Sequence, residues 1–399
     1  MKRNFARAVF ILVLAVGART SLALTTNSSG FVQYQAFNNQ LYVLKPWFGK
    51  NIVVLNATNA VVNSNVMSQI VASLDHAWDF YVLATGQYPI PYDPTTLFGK
   101  DTIAVVSSTC GAGCSYVGFT GTEILSQYFS TLYNGVARSK QYDQVLFYEF
   151  GRNFWSYGPQ LQYHSPDVDP VVTGFAVYMR FLSMDAAGVA GGPFNGVSFT
   201  AFRMAVTNLI DSYISLPVLN WTNTFRISQA PPNALGLGGT DLIASLLMRI
   251  GRDFGRGFGS DSFGYHFWKQ AALRPGTANT LGAVDNFILA ACATVNTNLT
   301  RAFATTWKFP VSANARLEAQ QRWGDPFVIL PTIVALNDGG TNIVLRWTTE
   351  WNNQYQVQVS PDMQTWTNLG APLTGNGSLR TFTVPAPYSP QQFFRLRLL

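Results

Sequence analysis

The 399-residue sequence predicts an α+β protein: an N-terminal mixed sheet plus a helical part, followed by a small C-terminal β-sandwich. Three observations predict it. Compact apolar runs at residues 51–55 and 102–107 read as buried strands. From Tyr142 onward, apolar residues recur at helical spacing in successive segments. Past Trp323 the pattern changes to short alternating stretches divided by turn clusters.

The N-terminus sets the expected compartment. Lys2, Arg3 and Arg7 form a basic start, and residues 8–17 form an apolar core too short to span a bilayer. Ser21-Leu22-Ala23 then offers small residues where a signal peptidase reads them. The expectation is a signal peptide over residues 1–23 and a secreted or cell-envelope protein; the alternative is an uncleaved anchor. No later stretch is apolar for long enough to span, so no transmembrane segment is expected in the mature chain. The leader carries Lys2, Arg3, Arg7 and Arg19 and no acid, so its loss lowers the formal charge from +6 to +2. With no Lys/Arg run interleaved with aromatics, this argues against nucleic acid or an anionic membrane as partner. A charged fraction of 12% beside 14% aromatics indicates a large buried core.

Between residues 51 and 128 the sequence predicts strands, a helix over residues 66–83, a Gly/Ser/Thr-rich loop at 111–122 and an edge strand starting at 123–128. Helices are expected at 144–155, 172–187, 199–212, 241–254 and 283–293, with a shorter one at 298–307. Gly-rich joints at 188–196 and 236–239 separate them. Alternating stretches at 327–336, 342–348, 355–360 and 380–384 form the sandwich. The domain limits follow as 24–322 and 323–399. Cys110 and Cys114 bracket Gly111-Ala112-Gly113, a loop able to close a disulfide, with half a metal site as the alternative. Cys292 lies in an apolar run and reads as a buried free thiol.

The segment Leu146-Phe147-Tyr148-Glu149-Phe150-Gly151-Arg152-Asn153-Phe154-Trp155 carries the functional argument. In a zinc peptidase helix, two histidines at i and i+4 share one face and hold the metal. The glutamate after the first histidine activates the bound water, and a third ligand comes from a later helix. Here Glu149 stands in the base position, while Tyr148 and Arg152 stand in the ligand positions. A second helix follows with Thr173-Gly174-Phe175-Ala176-Val177-Tyr178-Met179-Arg180. The combination resembles the gluzincin metallopeptidases, particularly the plant and bacterial basic secretory proteins. In that family a His-Glu-x-x-His-x-x-Gln helix precedes one beginning Glu-Gly-x-Ala-Asp-Tyr-x-Arg. Gly174, Ala176, Tyr178 and Arg180 match the second pattern, and Thr173 stands where the ligand glutamate is expected. The helix at 241–254 and the segment Trp307-Lys308-Phe309-Pro310 also fit that layout.

The departures decide the chemistry. A phenol ligates metal only when deprotonated, against an ordinary pKa of about 10. A guanidinium stays protonated and has no free lone pair, and a threonine hydroxyl is a poor zinc ligand. All three implied ligands are replaced, so no metal and no cofactor is expected. Arg152, three residues after Glu149, is expected to pair with that carboxylate. The reading is an exported metallopeptidase-like protein without activity, which binds a peptide or glycan at the cell envelope. Glu149 is then a vestigial general base, and Tyr148, Arg152, Trp155, Thr173 and Tyr178 line the cleft. The alternatives are an active hydrolase with a rearranged metal site, using His164 with Asp167 and Asp169, and a structural or adhesive surface protein.

Other constellations are weaker. His76 lies in a helical pattern, and His266, between Tyr265 and Phe267, reads as an aromatic packing site. No Gly-x-Ser-x-Gly elbow stands out. Glu123 and Glu149 are the carboxylate pair to examine for glycoside chemistry. In the C-terminal part, Trp347, Tyr355, Ser360-Pro361-Asp362, Trp366 and Phe393-Phe394-Arg395-Leu396 resemble β-sandwich modules of exported bacterial proteins, with Trp347 and Trp366 as core anchors.

Overall fold

The computed structural model describes residues 23–194, 196–255, 261–324, 328–329, 332–334, 342–349, 354–375, 379–385 and 392–399. Apart from Ala23, the expected leader lies outside them, as do most of the turn clusters at 337–340 and 375–377.

The large part begins with β1 (Val32–Gln35), β2 (Leu41–Phe48) and β3 (Ile52–Ala57), then α1 (Ser64–Thr85). Asn63 caps α1 by accepting from the Asn65 and Val66 amides, and Gly86, at φ 70°, ends it. β4 (Thr96–Leu97), β5 (Lys100–Val106), β6 (Gly113–Ser115) and β7 (Thr122–Leu125) complete one mixed sheet in the order β1-β2-β3-β5-β7-β6, with β4 on β5. β3, β5 and β7 run parallel; the remaining pairs are antiparallel. Strand alternation gives the sheet two apolar faces. Ile52, Val54, Ile103, Val105 and Ile124 face the helices, while Val53, Leu55, Ala104 and Val106 join Val32, Tyr34 and Leu44 in a smaller core behind.

Two expectations change here. The strand at 122–125 is interior, because Gly113–Ser115 leaves the expected loop to pair beside it as the edge. Residues 126–128 are helical, opening α2 (Ser126–Ser139), which buries Phe129, Leu132 and Val136.

The helical layer follows. β8 (Gln141–Tyr142), α3 (Val145–Asn153), α4 (Gly158–Leu161), α5 (Val171–Ala186), β9 (Ala190–Gly191) and α6 (Phe199–Ser215) lead to α7 (Gly239–Phe254). Then come α8 (Asp261–Ala272), α9 (Thr280–Val295) and α10 (Ala313–Trp323). α8 and α10 are additions to the sequence expectation. The expected helix at 298–307 is a π-helical turn over Ala302–Thr306. Glycine brings α3 onto α5: a Cβ on Gly151 would lie 2.5 Å from the Ala176 Cα. Gly174 does the same for α5 and α7, where a Cβ would lie 2.6 Å from an Ile243 methyl. Both pairs therefore pack at backbone distance, which fixes where α3 and α5 present their polar side chains.

The C-terminal part comprises β10 (Val328–Ile329), β11 (Thr332–Val334), β12 (Asn342–Thr348), β13 (Gln354–Ser360), β14 (Thr367–Thr374), β15 (Leu379–Pro385) and β16 (Phe393–Leu398). They form two antiparallel sheets, β10-β16-β13-β14 and β11-β12-β15. Leu345 and Trp347 from one meet Tyr355, Val357 and Leu396 from the other in a shared core. Trp347 is the anchor expected. Trp366 is not: it is half-buried, with the Arg395 guanidinium 4.2 Å from its ring centroid.

Candidate functional site

α3 carries Tyr148 and Arg152 one turn apart on the same face, and the first turn of α5 brings Thr173 to them. Arg152 Nη1 donates to Thr173 Oγ1 at 3.1 Å, and the Arg152 Cζ lies 5.8 Å from the Tyr148 ring centroid. Positions 148, 152 and 173 thus meet in space, all three partly exposed. Glu149, the next residue on α3, is 6% exposed. Edge strand β6 covers it closely: a Cβ on Gly113 would lie 2.9 Å from the Glu149 Cγ. Burial pushes the Glu149 carboxyl up to about 7, while the Arg152 charge and a hydrogen bond with Ser115 pull it back. Burial likewise raises the Tyr148 phenol, with Arg152, Arg180 and Thr173 opposing and Glu149 adding to the rise.

The expected contact between Glu149 and Arg152 is not made. Among the described residues no ion pair joins them, and the guanidinium turns instead to Thr173. Its influence on Glu149 is through space. The reason is geometric: Glu149 points toward β6 and Val145, while Arg152 points along α3 to the start of α5.

A second guanidinium stands behind the same tyrosine. Arg180 is 4% exposed, donates to Gln144 Oε1 at 2.6 Å, and lies 3.9 Å from Asp241. Its Cζ is 5.9 Å from the Tyr148 ring, 4.8 Å from Phe181 and 4.7 Å from Phe202. Burial lowers its pKa to about 10, with Asp241 opposing. It remains a cation at neutral pH.

This donor set does not fit a zinc ion. A protonated guanidinium occupies one of the expected ligand positions and bonds the hydroxyl in another, and the phenol in the third is held above its ordinary pKa. Among the described residues no three His, Cys, Asp or Glu side chains gather as a metal site. That includes His164, Asp167 and Asp169. Asp167 pairs with Arg226, and Asp169 accepts from the Val171 amide at 2.7 Å where α5 begins.

Neither a family model nor a curated protein matches the sequence. Solved structures do. The chain is similar to the M60 catalytic domain of ZmpC from Clostridium perfringens in complex with the sialyl T antigen. The identity is 10% and the TM-score 0.43, over 89% of this chain and 66% of that one. It is similar to the ZmpB metallopeptidase of the same organism at 12% identity and TM-score 0.43, over 88% and 66%. A conserved protein of unknown function from Bacillus anthracis matches at 8% identity and TM-score 0.43, over 86% and 72%. This chain spans 66% of the length of the two Clostridium chains. At such identities and TM-scores these likenesses carry no argument about activity.

The remaining expected site residues separate into core and support. Trp155 (4% exposed) and Tyr178 (1% exposed) do not line a cleft. Trp155 packs on Phe175 and Tyr157, with ring centroids 5.6 and 5.4 Å away, and Tyr178 is enclosed near Gly264. Glu123 lies on β7 between Thr122 and Ile124, so its side chain takes the opposite face of the sheet from Glu149. There it accepts from Tyr34 Oη, the Phe37 amide and Thr109 Oγ1 at 3.1, 2.7 and 2.6 Å. The two glutamates are therefore not a pair. His76 and His266 are exposed on α1 and α8. The Phe267 ring beside His266 turns inward instead, its centroid 4.7 Å from the Trp268 ring. Cys110 and Cys114 form a disulfide at the start of β6, and Cys292 is a buried thiol raised to about 12 by burial.

Asn153 is a residue that sequence reasoning missed. Fully buried at the end of α3, it donates from Nδ2 to the carbonyls of Tyr116, Phe119 and Gly121 at 3.2, 2.6 and 3.1 Å and accepts from Thr122 Oγ1. The Gly118 amide adds a bond to the Arg152 carbonyl at 3.0 Å. These bonds tie the 116–121 loop to the helix end that carries Arg152. An Asn beside a charged residue gives no pattern by which to foresee this.

Proposed function

We propose that this is an exported metallopeptidase-like protein whose large domain does no zinc chemistry and binds a peptide or glycan at the cell envelope. The observation that supports it most is the 3.1 Å bond from Arg152 to Thr173, which places a guanidinium among the three positions where the gluzincin pattern has its ligands. The residue in the base position argues the same way. A general base must reach water or substrate, and Glu149 is enclosed beneath β6. The kinship with the basic secretory proteins rests on the match at Gly174, Ala176, Tyr178 and Arg180. Gly174 and Arg180 have physical work independent of catalysis: one lets α7 approach, the other holds Gln144. Export rests on the leader sequence, and no described helix is long and apolar enough to cross a membrane.

The test is elemental analysis of purified protein together with a general protease assay. Substoichiometric zinc and no cleavage are expected. Stoichiometric zinc, with cleavage that Glu149→Gln abolishes, would refute the reading.

A further inference from the structure

We propose that the corner formed by Arg152 and Thr173 receives a carboxylate group carried by the ligand, an anion site at the place where the zinc pattern would have a cation. This rests on the zinc-free binding role above and names the chemistry of the ligand.

A guanidinium has five N–H donors. Arg152 spends one on Thr173, and among the described residues no acidic side chain forms an ion pair with it. The side chain is only partly buried, and among the described residues no other acceptor takes its remaining donors. Arg180 adds a second positive charge on the same ring, 5.9 Å from the Tyr148 centroid where Arg152 is 5.8 Å. The Arg180 Nε is buried without an acceptor, and its nearest carboxylate, Asp241, is at 3.9 Å. Two incompletely neutralised cations thus flank one phenol, in surroundings where water screens charge less than in bulk.

The planar fork of one free guanidinium matches a planar monoanion. The same fork could hold a phosphate oxygen pair, but the second charge of a phosphate dianion lies in the field of Glu149, which disfavours it. The shared chemistry is therefore a carboxylate, whether of a sugar acid or of a peptide C-terminus.

The experiment is calorimetric titration of the full chain at low salt with N-acetylneuraminic acid, N-acetyl-alanyl-alanine, its C-terminal amide, galactose and inorganic phosphate. At least one carboxylate probe should bind while the amide, galactose and phosphate do not, and which one binds identifies the source. Arg152→Gln should weaken that binding about 10- to 100-fold, the weight of a charge-assisted hydrogen bond. Arg152→Lys should retain part of it, and added salt should weaken it in the unaltered protein, a readout that holds even if the Gln variant folds poorly. Equal binding of uncharged probes, preference for phosphate, indifference to Arg152→Gln in a folded variant, or no carboxylate binding up to about 10 mM would each overturn the proposal. Zinc-free protein that ignores carboxylates removes this inference alone; stoichiometric zinc removes the reading beneath it.

Discussion

Replacing Glu149 by Gln removes a buried ionisable group and keeps its shape, so the effect depends on pH. The carboxyl is raised by burial from its ordinary 4.5 to about 7. A raised carboxyl favours the folded state while it holds its proton. That contribution is complete below about 4.5 and is lost as pH rises through about 7. A rise from 4.5 to about 7 corresponds to about 3 kcal/mol, at about 1.4 kcal/mol for each tenfold change in proton affinity. Thermal melts of wild type and Glu149→Gln between pH 4 and pH 8 measure it by difference, which cancels the other acids that burial raises, among them Asp101, Glu123, Asp143 and Asp169. The variants should melt together near pH 4. By pH 8 the Gln variant should be the more stable, by about 3 kcal/mol or roughly 5 °C for a domain of this size. A difference independent of pH would refute the reasoning, because it would mean that Glu149 is ionised throughout and held by a cation in contact with it.

Further outcomes follow from the same geometry. Gly151→Ala should destabilise by about 1–3 kcal/mol, since the new methyl meets the α5 backbone, and a chemical denaturation curve reads it. Asn153→Ala should cost about 1–3 kcal/mol by removing a donor shared by the Tyr116, Phe119 and Gly121 carbonyls, with hydrogen exchange rising at residues 116–121 in particular. Unchanged exchange in that loop would show that it is held by other contacts. Reducing the Cys110–Cys114 disulfide should lower stability by no more than about 2 kcal/mol, because so short a loop restricts the unfolded chain little. Unfolding on reduction would contradict this.

What could be read in advance divides along physical lines. α3 and α5 were legible because their apolar residues recur at helical spacing. α2 was not: only Phe129, Leu132 and Val136 are buried along it, and the strand expected over residues 123–128 runs into its first turn. α10 hid for a related reason, since the two residues that it buries are alanines, Ala315 and Ala319. β6 has no residue with strand preference in Gly113-Cys114-Ser115 and is a strand only because β7 offers its backbone. At the site, the meeting of Tyr148, Arg152 and Thr173 was readable from spacing and motif together. The partner of Arg152 was not, since i,i+3 spacing permits contact with Glu149 but the direction of each side chain is set by β6 and α5. Trp155 and Tyr178 were misplaced because a motif gives a position along the helix and says nothing of which face the core takes.

The most direct measurement is an anomalous difference map at the zinc absorption edge, from crystals of the full chain grown with added zinc. No peak should lie between Tyr148, Arg152 and Thr173, and the guanidinium of residue 152 should stand within hydrogen-bond distance of the hydroxyl of residue 173. A strong peak there, with Arg152 swung away and Glu149 facing a bound water, would contradict the account.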